Sequence, residues 1–182
     1  DLALSSSTSG DAIVVEGTNT QLSAKRDLAL SASSGATRLY EATLTANRDL
    51  NVTAATLSDT SSTGKKRYAG RDTRIQTQGA TTLAGTTWGA GNDLSVQAGS
   101  LTVTNTGNLY SGADGQAASK ALTVRTTSGD LKLTDANVQS TGALKLDSAA
   151  ALSVGSATTI KSTGDYALKA ARSIDNAGKV SG

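Results

Sequence analysis

Asp27-Leu28-Ala29-Leu30, Asp49-Leu50-Asn51-Val52, Asp72-Thr73-Arg74-Ile75 and Asp93-Leu94-Ser95-Val96 are copies of one phrase whose starts lie 22, 23 and 21 residues apart. The phrase returns as Asp130-Leu131-Lys132-Leu133. In the second half two columns keep the same period: Leu101, Leu122, Leu144 and Tyr166 at spacings of 21, 22 and 22, and Leu109, Leu131, Leu152 and Ile174 at 22, 21 and 22. Within each copy, apolar and polar residues alternate, as in Leu122-Thr123-Val124 and Leu144-Lys145-Leu146. That is the period of a strand with one buried face, and no stretch sustains the 3.6-residue period of a helix. Short strands punctuated by Gly, Ser, Asn and Asp, recurring about every 22 residues, predict an all-β parallel β-solenoid with one repeat per coil. A chain of 182 residues gives about eight coils, a rod of about 40 Å at the spacing of paired strands.

Composition agrees with a coil and removes whole classes of chemistry. The chain has no Pro, Cys, Met, His or Phe. Without Cys or His there is no thiol nucleophile, no Ser-His-Asp triad and no soft metal site, so no metal or cofactor is expected. Leu, Ile and Val are scarce, and a narrow stacked interior needs few of them while Ala, Ser and Thr fill corners and outer positions. Proline would delete ladder hydrogen bonds. Seventeen basic groups against fifteen acidic ones leave a net charge of +2, too small for charge-driven disorder. The longest apolar run, Ala12-Ile13-Val14-Val15, is four residues, far short of the ~18 of a membrane-spanning helix.

Residues 1–182 read as one solenoid segment of a longer repeat protein. Two irregularities interrupt it. Leu2 to Leu28 is 26 residues, and the first-half column reaches the second-half pair only through an insertion or register change between Leu94 and Leu122. A loop or register change is therefore expected around residues 111–120, bulging at Ser111-Gly112-Ala113-Asp114-Gly115-Gln116-Ala117.

Leu101-Thr-Val-Thr-Asn105-Thr-Gly107-Asn-Leu109, Gly129-Asp-Leu131-Lys-Leu133 and Ser173-Ile174-Asp175-Asn176-Ala177-Gly178-Lys179-Val180 resemble the haemagglutinin repeats of filamentous haemagglutinin-type exoproteins. The resemblance implies a right-handed parallel β-helix shaft. It also implies two-partner secretion through an outer-membrane transporter, a secreted location on the bacterial surface, and adhesion to host glycans or receptors. Stalks of contact-dependent inhibition toxins share the pattern and supply the alternative, a pure spacer. The absence of cysteine suits export as an unfolded chain.

The sharpest local feature is Lys65-Lys66-Arg67-Tyr68-Ala69-Gly70-Arg71-Asp72-Thr73-Arg74, five basic groups in ten residues. Arg26, Arg48 and Arg71 each precede the Asp of the repeated phrase, so stacked coils would align them at rungs about 4.8 Å apart. Arg26, Arg48, Lys65, Lys66, Arg67, Arg71 and Arg74 are thus the candidate strip for sulfated host glycans. The alternative is that Asp27, Asp49 and Asp72 form a parallel ladder that neutralises the arginines, leaving pairs worth about 0–1 kcal/mol each. Asp130, Asp135 and Asp147 with Lys132 and Lys145 are the one cluster resembling a carbohydrate-cleaving centre, but such chemistry needs a matched carboxylate pair in a cleft. No enzyme and no nucleic-acid partner are expected. Trp88, between Thr87 and Gly89, is expected as a corner side chain packed over the coil rather than as a sugar platform.

Overall fold

The computed structural model describes residues 1–112 and 120–182. Every regular element among the described residues is a β-strand, and the strands pair in parallel. The alternation seen in the sequence becomes burial alternation: Leu94–Ala98 and Leu122–Thr126 point every second side chain inward. The chain winds through eight coils of three strand segments each. Segments of the first and second faces join in one 14-stranded sheet, because strands Leu28–Tyr40 and Leu50–Thr60 turn the corner between them unbroken. The third face is a separate sheet of eight strands, from Gln21–Ala24 to Lys179–Ser181.

The repeated phrase opens the first face, where Leu28, Leu50, Thr73 and Leu94 stack in register. That column runs on into Leu122, Leu144 and Tyr166. Leu94 and Leu122 are paired although 28 residues separate them, so the extra residues lie between strand Gly107–Ser111 and strand Leu122–Thr126. Of the bulge expected at residues 111–117, Ser111 ends the strand, and residues 113–117 lie outside the described residues.

The insertion corrects two column assignments. Leu101 stacks on Leu131, not Leu122, in the second-face column that continues through Leu152 and Ile174. Leu109 belongs to the third face, between Trp88 and Val138. The inserted length nearly equals one side of the coil, so the 21- and 22-residue spacings survived while pointing to the wrong neighbour. The excess at Leu2 is absorbed by one bulge between Asp11 and Ile13 and by the turns around it.

The interior is one continuous apolar core. Its third-face wall pairs a bulky column with a small one: Leu44, Arg67, Trp88, Leu109, Val138 and Ile160 beside Ala46, Ala69, Ala90, Ser111, Ser140 and Ser162. Small side chains there keep the walls close, and the serines are satisfied internally. Ser140 Oγ donates to Ala143 O at 3.0 Å, and Ser162 Oγ donates to Gly142 O at 2.5 Å.

One corner between the second and third faces is built by a carboxylate. Glu41 adopts a left-handed φ of 51°, and its side chain caps the Ser61–Gly64 loop of the next coil. Its Oε1 accepts from Ser62 N–H at 2.5 Å and the Ser62 hydroxyl at 2.7 Å. Its Oε2 accepts from the hydroxyls of Thr63 at 2.7 Å and Ser61 at 2.9 Å. These donors, the Ser62 backbone amide first, hold the Glu41 carboxyl at about 2 against an ordinary 4.5. A depressed carboxylate stabilises the fold above its unfolded pKa, and the stabilisation is lost as pH falls through the folded value. Glu41→Gln is therefore expected to unfold at lower urea than the parent at pH 7. The gap should close between about pH 4.5 and pH 2. A pH-independent gap in urea midpoints would assign Glu41 a packing role instead.

Candidate functional site

The seven basic residues of the candidate strip do not form one surface. Arg26, Arg48 and Arg71 do stack at the corner between the third and first faces: Arg48 N donates to Arg26 O at 2.9 Å and Arg71 N to Arg48 O at 2.8 Å. Each arginine reaches back one coil to an aspartate. Arg48 grips Asp27 with both Nε, at 2.7 Å, and Nη2; Arg71 grips Asp49 in the same way, with Nε at 2.8 Å. Arg26 meets Asp1 at 3.5 Å, and Arg71 also approaches Asp72 at 3.3 Å. The Arg48 hydrogen bond holds the Asp27 carboxyl below its usual range. Two-pronged pairing fixes the guanidinium planes, offsets their charge and occupies the Nε/Nη2 edge, one of the two that a sulfate could take.

The other four residues scatter. Lys65 sits at the far end of the third face, where its Nζ donates to Thr18 O at 2.7 Å. Lys66 starts strand Lys66–Ala69 and points outward. Arg74 is exposed on the first face, where Nη2 donates to Gln76 Oε1 at 3.2 Å. Arg67 is 0% exposed. Strand alternation turns it into the interior between Lys66 and Tyr68, so it is closed to any outside ligand.

Inside, Arg67 occupies the bulky third-face column between Leu44 and Trp88. Asp59 faces it from a second-face column otherwise filled by Leu39 and Leu83, and it too is 0% exposed. Arg67 Nη2 donates to Asp59 Oδ1 at 2.5 Å, and Trp88 Nε1–H donates to Asp59 Oδ2 at 2.7 Å. Burial pushes the Asp59 carboxyl up, with Arg67 and Trp88 pulling the other way. Among the described residues, Nε and Nη1 of Arg67 meet no acceptor, so its charge is held by this one contact. Trp88 is thus a buried donor that ties the fourth coil to the third, neither corner cover nor sugar platform. A signal for Arg67 exists in the sequence: it stands two residues before Ala69, as Leu44 does before Ala46 and Trp88 before Ala90.

The possible catalytic carboxylates are dispersed. Asp130 lies 3.5 Å from Lys132 and accepts from Ala151 N–H, which holds its carboxyl low. Asp135, at φ 52°, caps Thr106 N–H at the opposite corner. Asp147 lies on the first face, in register between Arg125 and Lys169. Among the described residues no group of three potential ligands could hold a metal ion, and no helix is long and apolar enough to cross a membrane. No family model, curated protein or solved structure matches the chain.

Removing one partner of a buried ion pair strands the other's charge, at a cost of about 3–5 kcal/mol. Asp59→Ala is expected to destabilise by that amount in urea titrations followed by fluorescence of Trp88, the single tryptophan. Replacing Asp59 and Arg67 together by Leu, which matches their column neighbours, should recover most of the loss. A cost below about 1 kcal/mol for Asp59→Ala would mean that Arg67 finds another partner.

Proposed function

We propose that this chain is a non-catalytic part of the rigid shaft of a secreted bacterial surface adhesin, passed through the outer membrane by a dedicated transporter. The observation that carries the reading is the repeat itself. Eight coils stack in register, with three ladders and one unbroken core, a construction whose natural product is length. The scattering of Asp130, Asp135 and Asp147 supports a non-catalytic role. Host sulfated glycans or surface receptors are the partners in this reading. The self-neutralised Arg–Asp corner favours the second reading, a stalk of a contact-dependent inhibition toxin that only spaces, for that part of the surface.

In a shaft each coil is a removable unit. Excision of residues 144–165 brings Tyr166 under Leu122 in place of Leu144. It should leave a cooperatively folding all-β chain shortened by about 4.8 Å, as read by circular dichroism and small-angle X-ray scattering; loss of cooperative folding would overturn the shaft reading. Glycan adhesion is checked separately on a heparin column. Retention beyond roughly physiological ionic strength is expected for an adhesin, and elution below it leaves the spacer role alone.

A further inference from the structure

The outer surface of the third face differs in charge from the rest of the molecule. Its strands alternate, so two outward columns can be followed from Gln21 and Ser23 in the first coil to Lys179 and Ser181 in the last. Although the chain has 15 acidic residues, no outward position of these strands carries a carboxylate. Lys66, Lys161 and Lys179 stand there exposed. Among the described residues none has the carboxylate partner that Arg26, Arg48 and Arg71 have.

Between Lys66 and Lys161 the surface is polar, uncharged and partly aromatic. A groove of about 560 Å³ runs over it, lined by Asn108, Tyr110, Asn137 and Gln139 between the two lysines. Gly89 lies in register between Tyr68 and Tyr110. A Cβ there would run into the Tyr110 ring, so the missing side chain lets that ring lie across the strand. Tyr68 and Tyr110 stack with ring centroids 6.4 Å apart. An aromatic ring beside a polar strand surface is one on which the apolar face of a sugar packs, and amides that both donate and accept match sugar hydroxyls.

We propose that the outer third face, from Lys66 to Lys161, binds an extended acidic polysaccharide running along the solenoid axis. Its carboxylates meet the two lysines, and its rings and hydroxyls meet Tyr110, Asn108, Asn137 and Gln139. Charge spacing selects this occupant. Lys66 and Lys161 are four coils apart, about 19 Å at the strand spacing, which spans two repeats of a polymer with a negative charge on alternate sugars, so every second carboxylate meets a lysine. Duplex DNA carries a charge every ~1.7 Å and would leave most of its phosphates unmatched. The inference rests on the adhesin reading only in naming a ligand class. It moves binding away from the arginine corner, whose charges are already taken.

The test is calorimetric titration of the chain with a hyaluronan oligosaccharide, which bears a glucuronate on alternate sugars, with neutral dextran and duplex DNA in parallel. Hyaluronan binding is expected, with no heat from dextran. Lys66→Ser with Lys161→Ser should weaken binding at least about tenfold, and so should Tyr110→Ala. Arg26→Ser with Arg74→Ser should leave it unchanged. Gln139→Ala, at an exposed position of the same groove, should weaken binding too, and circular dichroism checks that each variant keeps its strands. The proposal is overturned by absence of hyaluronan binding, by tighter binding of duplex DNA, or by equal loss in the Arg26/Arg74 variant. None of these outcomes touches the shaft reading, which stands or falls with the coil excision.

Discussion

In-register parallel stacking governs this molecule. Each residue of a coil lies about 4.8 Å from its counterparts above and below, so a side chain pointing inward shares its space with two others of the same column. That rule explains the small Ala and Ser column of the third face. It also explains why polar intrusions into the core are answered locally. The Thr73 hydroxyl donates to Gly89 O at 2.7 Å, Thr77 and Thr81 share a hydrogen bond at 2.7 Å, and Arg67 meets Asp59 and Trp88. These groups concentrate in the third and fourth coils. The Arg67–Asp59 pair lies within one coil, and the Trp88 hydrogen bond to Asp59 reaches it from the next, so this polar cluster marks one register among otherwise interchangeable coils, a role well attested for buried polar groups in repetitive helical assemblies.

Charge obeys the same geometry from outside. At the corner joining the third and first faces, Arg and Asp follow each other in sequence. Stacking offsets them by one coil, so each guanidinium finds the carboxylate below it. The corner becomes a neutral seam whose contribution is orientation rather than attraction. The third face has no such pattern, and its lysines keep their charge for solvent or a ligand. A rod with one self-satisfied edge and one open basic face can be long without being uniformly sticky.

The architecture was legible because it is repetitive. The Asp-Leu-x-Leu phrase fixed the period, and alternation fixed which residues face inward, as in Leu122-Thr123-Val124. The arginine ladder was legible too, and so was its neutralisation as one of two outcomes, since Arg and Asp are adjacent at Arg26-Asp27, Arg48-Asp49 and Arg71-Asp72. Legibility failed where the chain departs from its period. The extra residues between Ser111 and Leu122 put Leu101 and Leu109 on faces that their spacing did not indicate, and the longer first coil needed a bulge between Asp11 and Ile13.

Sequence alone therefore determined the fold class, the coil count and the residues available for the core, because a period and an alternation are one-dimensional properties. Only the tertiary structure decided that Arg67 is inside and Lys66 outside, that Asp59 is its partner, and that Lys66, Tyr110 and Lys161 share one face. Inward and outward differ by a single residue of strand phase, and residues nearly a hundred apart in the chain come to share a face only when coils are stacked in a definite register.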